Sequence, residues 1–256
     1  MKCLVIAEAG SCHDGDFMKA RKLVRIAAAC GADAVKFQYW SDSDALAHRR
    51  HAPTYRDVYR RYQLPHAWLD GLAHDAAHLG IEFLCTTYCA EDIAHVESLV
   101  SRFKISSFEA RDRAFVAAHD AYDKDVIIST GMMSWSQAAM LIGGRHKLLH
   151  CVSAYPAPID DMHLSVIRTR ELDGLSDHSQ HVAVGALAVA AGAQIIEAHL
   201  CLDSTDTANP DMAAALSPMY FAQYVKGIRQ AEAICGTSTK RVQPSEREMS
   251  LHQVVS

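Results

Sequence analysis

The feature that most constrains the fold is a regular alternation of short apolar segments with longer, helix-length segments. Apolar runs of about four to eight residues, bounded by glycine or polar clusters, are typical of strands in a parallel sheet. We predict eight strands, at residues 3–10, 32–38, 81–87, 102–107, 125–130, 147–153, 174–179 and 193–200. We predict helices at residues 17–30, 65–80, 90–100, 112–122, 134–143, 160–172, 181–191 and 217–235.

These strand–helix units in succession predict a closed barrel. Continuous alternation requires a parallel sheet with helices on its outside, and eight units close as a (β/α)8 TIM barrel of the α/β class. We expect the barrel to comprise residues 1–236, followed by a polar tail at 237–256. The connection at 39–64 is polar and longer than an ordinary βα loop, so we interpret it as a lid or binding loop.

The net charge limits the kinds of binding partner that we expect, and the cysteines indicate the cellular compartment. A net charge of -5 and an isoelectric point near 6.3 argue against nucleic acid or an anionic membrane as the main partner. No apolar run approaches the roughly 20 residues of a membrane span, and Glu8 and Asp14 interrupt the segment where a signal peptide would be apolar. The 8 cysteines lack paired metal-binding spacing, so we expect reduced, hydrophobically packed thiols in a cytoplasmic protein.

Polar side chains gather at the C-terminal ends of the predicted strands, which form the active face of a barrel enzyme. They are Glu8, Lys36, Gln38, Thr86, Lys104, Ser107, Glu109, Ser129, Thr130, Ser153, Tyr155, Ser176, His178, Glu197 and His199. Unrelated polar residues would be scattered over both ends of the strands. The convergence therefore predicts a functional site at this face.

The residue types at this face suggest its chemistry. Lys36 and Lys104 lie inside apolar strands, where an unpaired charge costs several kcal/mol, so each needs an anion. Two lysines with a set of hydroxyl groups could hold a phosphate and a carboxylate of one small ligand. His178 and His199, with carboxylates nearby, form a mixed nitrogen and oxygen set suited to Mn²⁺, Fe²⁺ or Zn²⁺.

Several of these residues also have purely structural interpretations. Lys36 could form an internal ion pair with Glu8, and a single buried histidine is more often a hydrogen-bonded core residue than a metal ligand. For His13 two interpretations remain open: it contacts a substrate, or it is a surface residue. We interpret a further group as an exposed amphipathic turn rather than an anion site: Tyr55, Tyr59, Tyr62, Arg56, Arg60 and Arg61.

Nine segments follow one another along the chain: IAEAGSCHDG, GADAVKFQ, FLCTTY, FKISSFE, IISTGM, LLHCVSAYPAP, LSDHS, IIEAHLCLD and NPD. Taken together, they resemble the sialic acid synthases, the family of N-acetylneuraminate synthase and of enzymes that make other nonulosonic acids. The resemblance covers about residues 4–236 and keeps the family's order.

The resemblance implies a reaction and a role for each matching residue. Such enzymes are transferases that condense phosphoenolpyruvate with an open-chain aldose, an N-acylated hexosamine such as N-acetylmannosamine, and release phosphate. His178 and His199 match the ligands of a divalent metal, Mn²⁺ or Mg²⁺. The matches to the phosphoenolpyruvate contacts are Lys36, Thr86, Lys104, Ser107, Ser129 and Ser176. The residues that match groups around the metal-bound water and the sugar are Glu8, Gln38, Glu109, Tyr155 and Asp211, and Ser153 occupies a variable position on the sugar side.

The chain also departs from the family pattern. Cys12, Thr87 and Phe108 stand where the family usually has Asn, Pro and Gly, and Met212 replaces a His beside Asp211. Family members normally continue into an antifreeze-like domain that lends an arginine to the partner subunit's sugar site. We expect no such domain here, which leaves a homodimer and the sugar specificity open.

Three functional hypotheses follow. The first is a metal-dependent nonulosonic acid synthase. The second is a condensing enzyme that joins phosphoenolpyruvate to a different aldose. The third is a non-catalytic homologue that binds a ligand through the barrel rim, which the intact lysines and histidines argue against.

Overall fold

Eight parallel strands form a closed barrel in the computed structural model, which describes residues 2–237 and 239–246. Each strand pairs with its neighbours in chain order, and the last pairs with the first. The strands are β1 Leu4–Gly10, β2 Ala34–Tyr39, β3 Glu82–Thr87, β4 Arg102–Ile105, β5 Asp125–Ser129, β6 His146–Cys151, β7 Gly174–Asp177 and β8 Ile195–His199. The predicted (β/α)8 fold is confirmed, and every predicted strand overlaps an observed one.

The helices surround the barrel, with short 3-10 turns between several of them. They are α1 Phe17–Ala29, α2 Ser43–Arg49, α3 Arg56–Tyr62, α4 Leu69–His78, α5 Ile93–Val96, α6 Arg113–Asp120, α7 Trp135–Ala138, α8 Ser165–Thr169, α9 Val184–Ala190 and α10 Pro218–Cys235.

Helix α1 shows how the local sequence produces these elements. The Asp16 side chain accepts hydrogen bonds from the backbone N–H groups of Met18 and Lys19, which caps the helix at its first turn. The buried positions recur every three or four residues, as expected for one helical face; they are Ala20, Leu23, Val24 and Ala27.

The barrel interior changes from apolar to polar along the strand direction. Its N-terminal part is filled by the side chains of Ile6, Ala34, Leu84, Ile127, Leu149 and Ile195. Side chains two residues apart on a strand share one face, so the next inward layer lies two positions further along. Five members of that layer are polar: Glu8, Lys36, Thr86, Ser129 and Glu197. The apolar layer thus supports the polar one from below.

Four predictions about secondary structure were wrong in type or extent; two of them are the helices at 134–143 and 160–172, of which only α7 and α8 are α-helical. The connection at 39–64 contains α2 and α3, because its aromatic residues pack against the barrel mouth and stabilise short helices there. The predicted helix at 90–100 is interrupted: only α5 is α-helical, and 3-10 turns flank it. Packing of Ile93 and Val96 into the core is compatible with so short a segment.

The expected polar tail is described only at residues 237 and 239–246, which are exposed; residues 238 and 247–256 lie outside the described residues. All eight cysteines are unpaired. Within the described ranges, no helix is both long and apolar enough to cross a bilayer.

Candidate active site

A cavity of about 400 Å³ opens at the C-terminal mouth of the barrel. The structure brings together here all but two of the predicted site residues, Glu109 and Thr130. Those lining it are Glu8, Lys36, Gln38, Thr86, Lys104, Ser107, Ser129, Ser153, Tyr155, Ser176, His178, His199 and Asp211. Glu109 is buried and accepts hydrogen bonds from Arg50 and Ser106, which do line the cavity, and Thr130 donates through Oγ1 to Leu149 O at 2.8 Å.

The floor of the cavity is a buried network of two lysines and two glutamates. Lys36 Nζ lies 2.6 Å from Glu8 Oε2 and 3.7 Å from Glu197 Oε2. Lys104 Nζ lies 3.4 Å from Glu197 Oε1. The proposed internal ion pair of Lys36 with Glu8 is therefore present, and it forms part of the cavity rather than an isolated core contact. Glu197 forms ion pairs with both lysines.

Hydroxyl groups surround the two ammonium groups. Lys36 Nζ donates to Thr86 Oγ1 at 3.0 Å, and Lys104 Nζ donates to Ser129 Oγ at 2.8 Å. Ser176 Oγ donates to Glu197 Oε1 at 3.1 Å. An ammonium group carries three donors, so Lys36 has one donor left beyond Glu8 and Thr86. Lys104 also donates to Ile105 O at 3.2 Å, so it would exchange a neutral partner for an anionic ligand while it keeps Glu197.

Gly131 leaves room beside this group of hydroxyls. A Cβ atom at this position would lie 2.1 Å from Ser153 Oγ, 2.8 Å from Ser107 Oγ and 3.1 Å from Cys151 Sγ. The backbone N–H of Gly131 donates to Ser107 Oγ at 3.1 Å. The absence of a side chain here keeps open the space that the serines line.

The electrostatic surroundings give the two carboxyl groups of the network different pKa values. Burial raises the pKa of Glu8 to about 7, although the nearby Lys36 opposes this change. Burial alone would also raise the pKa of Glu197, but Lys104 and Lys36 outweigh it and lower that pKa to about 2. Glu197 is thus an anion at neutral pH, whereas Glu8 can exchange a proton there.

The two predicted metal ligands lie side by side above this floor. The ring centroids of His178 and His199 are 5.3 Å apart. Burial lowers the pKa of His199 to about 4, so its imidazole is neutral at pH 7. His178 Nδ1 lies 3.0 Å from Val152 O, and its Nε2 lies 3.2 Å from the Tyr155 hydroxyl group.

The ring nitrogen atoms of these two histidines are suitable ligands for a divalent metal. Neutral imidazoles bind metals at about 2.1 Å, and a ligating ring typically donates its other N–H to a carbonyl group. His178 has such a carbonyl partner in Val152, and the buried Nδ1 of His199 has no hydrogen-bond partner. Tyr155 competes for His178 Nε2, so its hydroxyl would have to move away. In the part of the chain that the structure describes, no group of three or more acidic, histidine or cysteine side chains forms a complete metal site.

Asp211 is held at the cavity rim by the loop that follows β1. Its Oδ2 atom accepts hydrogen bonds from the backbone N–H and the hydroxyl group of Ser11, both at 2.7 Å. Gln38 Nε2 bridges Glu8 Oε1, at 2.9 Å, and Asp211 Oδ2, at 3.5 Å. Gly10 has a φ of 48°, and a Cβ atom there would lie 2.3 Å from Asp211 Oδ2, so this turn requires glycine.

Arg50 and Glu109 form a second buried pair. Arg50 donates through Nε and Nη2 to Glu109 Oε1, at 2.9 and 2.7 Å, and Ser106 also donates to this carboxylate. The guanidinium group lies 4.6 Å from the ring centroid of Tyr88 and 5.1 Å from that of Phe108. Our sequence reasoning did not select Arg50, because nothing in the sequence shows that it pairs with a residue nearly sixty positions away.

Two open interpretations from the sequence are resolved by burial. His13 is fully buried against Phe37 and Trp68, so it is neither a surface residue nor a cavity-lining one. The tyrosine and arginine group is only partly an exposed turn. Its tyrosines line the cavity, whereas its arginines are exposed and pair with aspartates.

Comparison with known proteins agrees with the barrel fold. The NeuB family model matches residues 23–240. The N,N'-diacetyllegionaminic acid synthase of Legionella pneumophila subsp. pneumophila is 33% identical, over 100% of this chain and 79% of that protein. The N-acetylneuraminate-9-phosphate synthase of Homo sapiens is 29% identical, over 95% of this chain and 74% of the relative. The crystal structure of the N-acetylneuraminic acid (sialic acid) synthetase of Leptospira borgpetersenii serovar Hardjo-bovis superposes with a TM-score of 0.88, at 27% identity, covering 98% of this chain and 91% of that one.

The fold and the site define a (β/α)8 barrel with a buried lysine–glutamate network at its C-terminal mouth. This chain belongs to the NeuB family. The resemblance to the sialic acid synthases found in the sequence is thereby confirmed.

Proposed function

We propose that the protein condenses phosphoenolpyruvate with an N-acylated aldohexose resembling N-acetylmannosamine, forming a nonulosonic acid and releasing phosphate. Relatives named as synthases of legionaminic acid and of N-acetylneuraminate 9-phosphate support this class of reaction. The observation that carries the proposal is the arrangement of Lys36 and Lys104 among hydroxyl groups, directly beside His178 and His199, in one cavity.

In this proposal, the lysine side of the cavity binds the donor. Lys36 and Lys104, with the hydroxyl groups of Thr86, Ser129 and Ser176, would neutralise and orient the phosphate and carboxylate of phosphoenolpyruvate. Fixed donors of this kind lower the barrier because they need not reorganise during the reaction. Gly131 would leave room for the phosphate beside the Ser107 hydroxyl group, which a Cβ atom at Gly131 would approach to 2.8 Å.

The histidine side of the cavity faces the acceptor. His178 and His199 would hold the divalent ion, Mn²⁺ or Mg²⁺, which would supply Lewis-acid polarisation of the aldehyde oxygen. Tyr155 and Asp211 border the same region and would contact the sugar. The neutral state of His199 suits it to this role, since a protonated imidazole cannot bind a metal.

The condensation requires one new carbon–carbon bond and one water. C3 of phosphoenolpyruvate attacks the aldehyde carbon, and the aldehyde oxygen takes up a proton to become a hydroxyl group. Water adds to C2 and gives its proton to Glu8, whose pKa of about 7 suits a general base. The bond from C2 to the phosphate oxygen then breaks, and C2 becomes a ketone as the added hydroxyl group loses its proton to the departing phosphate. The proton held by Glu8 returns to solvent and replaces the one that the aldehyde oxygen took up.

A phosphate-release assay tests this proposal. The protein is incubated with Mn²⁺, phosphoenolpyruvate and a panel of aldoses, and free phosphate is measured over time. Release that depends on N-acetylmannosamine supports the synthase. Release only with another aldose supports a condensing enzyme of different specificity. No release with any aldose would refute catalysis and support a non-catalytic homologue.

A further inference from the structure

Arg50 directly follows α2, in the connection at residues 39–64, and its guanidinium group reaches the segment after β4. It donates through Nε and Nη2 to Glu109 Oε1, at 2.9 and 2.7 Å, and the Glu109 side chain is fully buried. Arg50 Cζ also lies 4.6 and 5.1 Å from the ring centroids of Tyr88 and Phe108. Two donors on one planar group, held between aromatic rings, fix the position of the Glu109 carboxylate more closely than a single charge contact would.

The second oxygen of Glu109 holds the turn at the end of β4. Ser106 Oγ donates a hydrogen bond to Glu109 Oε2. The next residue is Ser107, whose hydroxyl group lines the cavity and accepts from the backbone N–H of Gly131 at 3.1 Å. Lys104 lies in β4 itself, three residues before Ser107. Glu109 therefore fastens the strand end that carries two of the groups proposed to bind phosphoenolpyruvate.

Arg49 provides a comparison within the same connection, because it forms a similar ion pair outside the barrel mouth. Its Nη2 lies 2.8 Å from Asp112 Oδ2, and both side chains are partly exposed. Asp112 caps α6 through its other oxygen. Arg49 and Asp112 line a neighbouring cavity, not the one at the barrel mouth. Both arginines thus fasten the connection to the segment after β4, but Arg50 does so through a carboxylate that holds a cavity-lining serine.

We propose that Arg50 is a positioning residue: acting through Glu109, it holds the end of β4 and the Ser107 hydroxyl group in the geometry that binds phosphoenolpyruvate. This inference rests on the condensation proposed above and adds a residue from outside the barrel strands to its machinery. The physical reason is that binding groups act only within narrow limits of distance and direction. A displacement of about 1 Å can lower the efficiency of a site by about a hundredfold.

The experiment measures the dissociation constant of phosphoenolpyruvate by titration calorimetry, without an aldose. Arg50→Ala should weaken binding at least about tenfold, because Glu109 loses the group that orients it. Guanidinium chloride, at concentrations far below those that unfold proteins, should recover part of this loss by occupying the position of the missing side chain. The matched control Arg49→Ala removes an equal charge from the same connection, and its dissociation constant should stay within about threefold of the wild type. Circular dichroism checks that each variant is folded.

Arg50→Lys separates positioning from charge and from a failure to fold. It keeps a cation beside the buried Glu109 carboxylate, so the barrel should fold, but an ammonium group lacks the planar pair of donors. We expect its phosphoenolpyruvate binding to be at least about threefold weaker than that of the wild type.

Several results would overturn the inference while leaving the condensation intact. They are wild-type affinity in Arg50→Lys, equal losses in folded Arg50→Ala and Arg49→Ala, and no recovery of folded Arg50→Ala with guanidinium. A rise in the KM for the aldose alone, with unchanged phosphoenolpyruvate binding, would also overturn it, because Arg50 would then act on the acceptor. If the wild type itself does not bind phosphoenolpyruvate, the proposed function is refuted, and this inference with it.

Discussion

Replacing Glu197 by glutamine is expected to destabilise the barrel by about 3 kcal/mol at pH 7. Glu197 is 4% exposed, and it lies 3.4 Å from Lys104 Nζ and 3.7 Å from Lys36 Nζ. Its pKa falls from an ordinary 4.5 to about 2, which corresponds to about 3 kcal/mol of stabilisation of the carboxylate. In the variant, the buried Lys104 is left beside only uncharged oxygens, those of Ser129 and Ile105.

Urea unfolding followed by circular dichroism between pH 4 and pH 8 measures this loss, and thermal unfolding should show a decrease of very roughly 6–12 °C in Tm. The pH dependence is a second test. Because the folded pKa of Glu197 is below its unfolded value, its stabilisation is complete above about 4.5 and is lost as the pH falls towards about 2. The contribution of the Glu197 carboxylate should therefore start to shrink below about pH 4.5, whereas between pH 6 and pH 8 the difference also includes the titration of Glu8, whose pKa Glu197 helps to raise.

Two further variants identify the cause. Ser176→Ala removes only the 3.1 Å hydrogen bond to Glu197 and should cost about 1 kcal/mol. The double variant Glu197→Gln with Lys104→Met should recover part of the loss, because it no longer buries an uncompensated cation. A loss below about 1 kcal/mol for Glu197→Gln, or a loss that grows below pH 4.5, would refute the reasoning.

Three other perturbations test separate parts of the site. Gly131→Ala should raise the KM for phosphoenolpyruvate at least about tenfold, since its methyl group would lie 2.1 Å from a serine hydroxyl; an unchanged KM in the phosphate-release assay would contradict this placement. Tyr224→Phe should lower the free energy of unfolding by about 1–3 kcal/mol without changing KM, because the buried Asp177 loses a 2.8 Å hydrogen bond; an unchanged urea midpoint would disagree. EDTA should abolish phosphate release, and His199→Gln should weaken Mn²⁺ binding in calorimetry by about tenfold or more, whereas the exposed control His181→Gln should bind like the wild type.

Much of the barrel could be predicted because its information is local. Each strand is a short apolar run, and the alternation with helices leaves a closed parallel barrel as the consistent arrangement. The site could be located for a related reason. The C-terminal ends of parallel strands meet at one face, so residues as distant as Glu8 and His199 could be placed together without knowing any contact. Their Cα positions are in fact paired in the register of β1 with β8.

The parts that could not be predicted depend on contacts between distant segments. Residues 39–64 read as a polar loop because the packing that stabilises α2 and α3 involves Tyr88, which lies beyond the segment itself. His13 is polar by type, but Phe37 and Trp68 bury it. Glu197 was visible at a strand end, yet its position between both lysines emerged only in three dimensions.

The sequence by itself determined the closed barrel, the polar rim and the family, since periodicity and ordered segments are properties of the chain alone. Only the tertiary structure decided which charges pair: Lys36 with Glu8, Lys104 with Glu197, and Arg50 with Glu109. The physical reason is that an ion pair depends on separations of a few ångströms. Those separations are set by strand register, by side-chain rotamers and by the packing of the insertion at residues 39–64 against distant segments.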